Sequence, residues 1–335
     1  MLEKIQTPIA AELQRYVAIF QEAMNSDNEL LASALAHITR RLGKMMRPTL
    51  VLLSARVAGR IGDDVLHAAA GLEMLHTASL VHDDVVDESA MRRGQRSVNA
   101  IFDNKAAVLV GDFITSKALT ELALTRNIDV VGRMAWLGQT LADGELEQLA
   151  NTQLTTFDEA PYYSVIAKKT AALFSSCAYI GAMLGGAEAA AVATLERFGH
   201  LTGLCFQMRD DIFDFDETLD VGKPKGNDMQ EGKLTLPVLY ALAKTATPNA
   251  GAASTPATEH AYFRRLALKV RVHEASRLEI QELVDFTVRS GGVAYAKAEM
   301  CRLRDEAVAL LASFANNEIT NALRLYLDFV VERQS

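Results

Sequence analysis

Two stretches of this chain carry aspartates at a spacing that suits metal chemistry: Val81-His82-Asp83-Asp84-Val85-Val86-Asp87 and Met208-Arg209-Asp210-Asp211-Ile212-Phe213-Asp214. Each is an Asp-Asp-x-x-Asp. On a helix, residues i and i+4 share a face, so Asp83 lies beside Asp87 and Asp210 beside Asp214. Like charges so placed repel by about 0.2–0.5 kcal/mol on an open surface. One such motif reads about equally well as a solvated acidic face. Two copies set among large apolar residues (Leu80, Val81, Val85 and Val86; Phe206, Ile212, Phe213 and Phe215) do not, and something positive must sit between the acids. Mg²⁺ fits, because it takes one or two carboxylates, keeps some waters and completes its octahedron with phosphate oxygens. Zinc would want His or Cys. Two acid-bearing helices facing each other could hold a metal cluster that grips a diphosphate and stabilises it as a leaving group.

A diphosphate also needs cations from the protein. Gly43-Lys44-Met45-Met46-Arg47-Pro48 sets Lys44 and Arg47 beside a helix start, and Arg92-Arg93-Gly94 follows the first acidic motif. Lys168-Lys169-Thr170 opens an apolar stretch, and Lys223 and Lys233 follow the second motif. Any one of these clusters alone reads as a solvated surface group. Their combination with two aspartate motifs is harder to dismiss. His76 precedes Asp83 by two helical turns on the same face; a lone His there is more often a core residue, but its alignment with the metal site makes it a candidate contact for a second substrate.

The elements that must position these residues read as helices. Only 7 prolines occur in 335 residues, and none between Pro48 and Pro161, where apolar residues recur at three- and four-residue spacing. Alternating runs bounded by hairpin turns are scarce, so the fold class is all-α with no sheet. Asp63 and Asp64 after Gly62 start one long helix that runs to the acids at 83. Gly222 to Gly232 reads as a mobile surface loop, and residues 245–258 as a surface loop inserted between helices. Half of the residues are apolar and 23% are charged, which excludes a disordered chain. The net charge of −8 offers no general basic field, so no nucleic-acid partner is expected. Three dispersed cysteines, without a CxxC pair, suggest neither a disulfide framework nor a zinc site and fit a reducing cytoplasm. The N-terminal residues lack the apolar run of a signal peptide. Thr170 to Ala187 is uncharged throughout, but its serines and glycines favour a buried helix in a soluble domain, so no transmembrane segment is expected.

Taken with these motifs in this order, the sequence resembles the trans-polyprenyl diphosphate synthases of the all-trans isoprenoid synthase superfamily, over roughly residues 30 to 240. The resemblance implies a single bundle of long helices around a central cavity, one domain over residues 1–335, and a homodimer. It implies that Asp83, Asp84 and Asp87 bind two Mg²⁺ with an allylic prenyl diphosphate, while Asp210, Asp211 and Asp214 bind a third. Lys44, Arg47, His76 and Arg93 would hold isopentenyl diphosphate. Arg92, Lys169, Thr170, Gln207, Lys223 and Lys233 would hold the allylic diphosphate, with Lys169, Gln207 and Lys233 as its catalytic contacts. Leu42 departs from the family, which usually has a small residue there, and the spacer from Asp214 to Gly222 is slightly short.

Product length should depend on what blocks the cavity below the first motif. Ala78 and Ser79 are small, where short-chain members of the family tend to carry an aromatic. From Asp64 to Asp83 a helix spans roughly 28 Å, room for about six isoprene units at 1.5 Å per residue. A long-chain product of the type attached to respiratory quinones is therefore expected. The alternatives are a farnesyl or geranylgeranyl synthase, a class I terpene cyclase, an HD-type phosphohydrolase built on His82-Asp83, and a non-catalytic partner subunit; intact aspartate triplets speak against the last.

Overall fold

The structure is a computed structural model that describes residues 1–40, 43–92, 94–215, 226–244 and 257–333. Arg93, Lys223, Leu42 and the stretch 245–256 lie outside them. Almost every described element is a helix, as the proline distribution and the apolar spacing require. The chain divides into two compact units.

The first unit takes in Met1–Leu137, Leu173–Gly199 and Leu310–Tyr326. Its opening helices are α1 (Leu2–Gln6), α2 (Ala10–Ala23), α3 (Glu29–Thr39) and α4 (Met46–Ala58). Then come α5 (Asp63–Val86), α6 (Val98–Phe102), α7 (Asn104–Leu124) and the start of α8 (Ile128–Asn151). The expected long helix is α5. Asp63 and Asp64 sit in its first turn, where the helix dipole favours anions, and Glu88, at φ 49°, turns the chain away just past its end. Its buried side packs along α7 at very close range: a Cβ at Gly71 would meet the Ala118 carbonyl oxygen at 3.0 Å. His67 and Glu121, 2.7 Å apart, tie the same two helices. Helix α10 (Ala172–Gly185) meets α4 in the same manner, with Gly181 over the Val51 carbonyl. Most of α10 is buried, as the uncharged stretch predicts, and among the described residues no helix is long and apolar enough to cross a membrane.

One expectation fails here. No strand is expected from the residue pattern, yet Met91–Arg92 and Gln95–Arg96 pair as β1 and β2 of a minimal antiparallel hairpin. The cause is local: Gly94 takes φ 73°, which a side chain would resist, and two residues on either side are too few to show an alternating pattern.

The second unit takes in Gly138–Ala172, His200–Ala309 and Leu327–Ser335. It carries α9 (Glu159–Ile166), α12 (Asn227–Gln230), α13 (Leu236–Lys244), α14 (Ala257–Arg271), α15 (Arg277–Arg289) and α16 (Gly292–Leu310), with the second halves of α8, α11 (Ala189–Phe213) and α17 (Glu318–Glu332). A π-helical turn, Ala167–Ala171, follows α9. Residues 226–232, expected in a mobile surface loop, hold the short helix α12 with Met229 buried. The reason is a side chain distant in sequence: the Asp214 carboxylate accepts from the backbone N–H of Asn227 and of Asp228, at 2.8 and 3.2 Å, and so caps the helix.

Candidate active site

The first motif ends α5, and the helix sorts its aspartates. Asp87 is exposed, Asp83 half-buried and Asp84 buried at 3%. The inward carboxylate is met by the hairpin: Arg92 Nε and Nη2 donate to Asp84 Oδ1 at 2.8 and 2.6 Å, while Asn99 Nδ2 donates to the Asp84 carbonyl. Asp84 thus fixes the strand that carries Arg92. His82 turns the other way, onto α7, with Nε2 3.2 Å from the Val108 carbonyl and 3.5 Å from Asp112, so it does not join Asp83 in an HD-type pair.

Beside this motif the first unit opens a cleft with an empty volume of about 870 Å³, lined in part by His76, Asp84 and Arg92 on one side and Gly43 and Met45 on another. Lys44 lies between two lining residues, and Gln6 Nε2 donates to its carbonyl at 3.3 Å. Arg47, in the first turn of α4, lies over the Phe174 ring at 5.4 Å. Ala78 is buried, and the Ser79 hydroxyl folds back onto the His76 carbonyl at 2.9 Å; neither lines this cleft.

The second motif ends α11 in the second unit. Again the middle acid points inward: Asp211 is 3% exposed and accepts from the Tyr162 hydroxyl at 2.6 Å and from Gln207 Nε2 at 2.9 Å. The Gln207 amide oxygen in turn accepts from the Thr170 hydroxyl at 2.8 Å. Burial pushes the Asp211 carboxyl up to about 7; its two hydrogen bonds pull it down, and the charges of Asp210 and Asp214 raise it further. Burial likewise drives Asp228 well above the usual carboxylate range, and the charges of Asp211 and Asp214 add to it. Such crowding of acids in one buried spot favours a cation. Asp210 pairs with Arg333 at 2.5 Å, and Asp214 caps α12 as described above.

Among the described cations expected for a diphosphate, Arg92, Lys169 and Lys233 already have carboxylate partners. Lys169 Nζ donates to Glu145 at 2.7 Å and to Gln148 at 3.0 Å, Lys168 pairs with Asp143 and Glu147, and Lys233 pairs with Glu231 at 2.7 Å. Lys168 to Thr170 sit on the π turn, a helical irregularity often found at functional sites because the extra residue re-aims side chains. Gly144 lets α8 approach this turn: a Cβ there would meet Lys168 Cβ at 2.8 Å and Lys169 Cγ at 2.9 Å. Among the described residues, no group of three or more His, Cys, Asp or Glu is gathered so that it could hold a metal ion.

Sequence reasoning missed Tyr162, Arg333 and the carboxylates that hold the lysines. Tyr162 had no distinguishing signal, since Tyr163 follows it. The acids at 143, 145 and 147 read as an ordinary polar helix face.

The polyprenyl synthetase family model matches residues 28–260. The octaprenyl diphosphate synthase of Haemophilus influenzae is 38% identical over 242 residues, 72% of this chain and 74% of that protein. The crystal structure of geranylgeranyl pyrophosphate synthase from Bacteroides thetaiotaomicron superposes with a TM-score of 0.84 at 42% identity, covering 99% of each chain. The polyprenyl synthase of Caulobacter crescentus, complexed with calcium and isoprenyl diphosphate, gives 0.89 at 30% identity over 100% of this chain and 98% of that one. The fold is the all-α fold of isoprenyl diphosphate synthases. The chain belongs to the polyprenyl synthetase family, and it is a trans-prenyltransferase.

Proposed function

We propose that this enzyme condenses isopentenyl diphosphate with an allylic prenyl diphosphate, head to tail and all-trans, to give a long-chain polyprenyl diphosphate that serves as a quinone side chain. The observation that carries the reading is the hydrogen-bonded chain Thr170–Gln207–Asp211, which joins two expected diphosphate contacts to the second acidic motif. Residues 1–335 would act as one catalytic domain.

The donor chemistry fits Mg²⁺, three ions with substrate bound: hard carboxylate oxygens, few in number, with room for phosphate oxygens to complete the shell. In this reading Asp83 and Asp87 would hold metal at the first motif, and Asp210 and Asp214 at the second. Asp84 and Asp211 hold the two motifs in place, through Arg92 and through Tyr162 and Gln207. When bound, the metals supply charge neutralisation for the departing pyrophosphate. Arg92, Lys169, Thr170, Gln207, Lys223 and Lys233 orient the allylic diphosphate; Lys44, Arg47, His76 and Arg93 orient isopentenyl diphosphate. Lys169 and Lys233 must exchange their carboxylate partners for phosphate oxygens, so binding and alignment occur together. Surrounding apolar side chains exclude water from the allylic cation.

Long chains are favoured by the small residues Ala78 and Ser79, and the octaprenyl relative points the same way; the geranylgeranyl relative keeps a shorter product as the second reading. Leu109, Leu119 and Leu124 on α7 and Ile128 at the start of α8 are exposed apolar side chains of the kind that subunits cover, which supports a homodimer. A cytoplasmic location goes with this reading.

The test is incubation with labelled isopentenyl diphosphate, several primers and Mg²⁺, followed by sizing of the lipid. Products beyond geranylgeranyl are expected, and Ala78→Phe should shorten them. Arrest at farnesyl would refute the long-chain reading. Asp83→Ala or Asp210→Ala should lower turnover by orders of magnitude, and near-normal rates would refute the metal assignment.

A further inference from the structure

In the second motif, Asp210 is held by a guanidinium. Arg333, just past α17, donates from Nη2 to Asp210 Oδ1 at 2.5 Å and to the Phe206 carbonyl at 2.9 Å. Its guanidinium stacks on the Phe206 ring at 3.7 Å, and Arg209 Nε and Nη2 hold the Arg333 carbonyl at 3.1 and 3.0 Å. The Arg333 side chain is only 11% exposed, while the Asp210 side chain is 42% exposed and open to an incoming ion. This is a built seat and not a chance surface pair.

We propose that Arg333 is the resting counter-ion of Asp210, and that a divalent cation reaches the second motif only by displacing it. The inference rests on the metal role proposed above for Asp210. A magnesium ion bound at about 2.0–2.1 Å to this carboxylate would stand next to a guanidinium already seated there, and the two cations repel. Arg333 thus keeps the acid satisfied in the empty enzyme and raises the metal concentration needed to load it. No covalent step is involved.

The experiment uses the full chain with MnCl₂ and inorganic pyrophosphate, without prenyl substrate, and reads bound Mn²⁺ by electron paramagnetic resonance and the thermal midpoint in parallel. Arg333→Met keeps the stem over Phe206 and removes the charge. It should tighten the Asp210-dependent Mn²⁺ site about tenfold, the equivalent of one hydrogen bond to a charged group. Its midpoint should fall below wild type in chelator, with the gap closing as Mn²⁺ is added. Arg333→Lys, the milder variant, should lie between. Unchanged Mn²⁺ affinity in both variants, with a midpoint loss independent of metal, would make Arg333 a structural strut and overturn the proposal. Asp210→Asn separates the two readings: if it loses the site while Arg333→Met binds as wild type, only this inference fails. If Asp210→Asn itself binds as wild type, the metal assignment fails and the inference with it.

Discussion

The Tyr162 hydroxyl donates to the Asp211 carboxylate at 2.6 Å with both side chains buried, which makes a tyrosine on α9 the anchor of the second acidic motif. Burial lifts the Tyr162 hydroxyl well above its ordinary value, with the Asp211 charge adding to the rise, so it stays a donor throughout the working pH range. Tyr162→Phe should cost about 1.5–3 kcal/mol, the range for a hydrogen bond to a charged group. Urea unfolding measures it. In an Asp211→Asn background the same substitution should cost less, because the charged acceptor is gone.

Asp84 and Asp83 are neighbours in sequence with different work. Asp84→Asn should loosen the hairpin bearing Arg92 and raise KM for the allylic diphosphate several-fold, with a smaller effect on kcat. Asp83→Asn should instead depress kcat and raise the Mg²⁺ concentration required. Steady-state kinetics at varied Mg²⁺ distinguish them; identical profiles would mean that both are ligands.

Gly144→Ala introduces a Cβ against Lys168, Lys169 and the backbone nitrogen of Lys169 at 3.2 Å. Backbone cannot give way as a side-chain tip does, so about 1–3 kcal/mol of stability should be lost to overpacking. Activity should drop with it, since the π turn that aims Lys169 must shift. Gly138→Ala, on the same helix with open space around it, is the control and should be neutral or slightly stabilising.

A pH effect belongs to the cap of α15. Glu279 is pulled down to about 2, first by its bond from Lys269 and then by the Ser276 backbone and hydroxyl. Its folded value lies below the unfolded one of 4.5, so its contribution is present above about pH 4.5 and is lost as pH falls towards 2. The thermal midpoints of wild type and Glu279→Gln should differ at pH 6 and converge as the solution is acidified. A gap constant across that range would contradict the assignment.

The helical class and the long helix that carries the first acidic motif were legible in the sequence, because helical spacing is local, and the i, i+4 rule named the candidate aspartates. His76 was named by the same rule, and it lines the cleft beside that motif. The hairpin at Met91–Arg96 and helix α12 were not. The first depends on one glycine conformation, and the second on a carboxylate that reaches it from α11.

What the sequence determined by itself is which residues can carry charge and on which helical face each stands. Only tertiary structure decided how those charges are satisfied: Asp84 by Arg92, Asp211 by Tyr162, Lys169 by Glu145 and Asp210 by Arg333. The physical reason is that a buried charge takes its counter-charge from whatever packing brings near, and these partners lie on other elements, where no local spacing rule reaches.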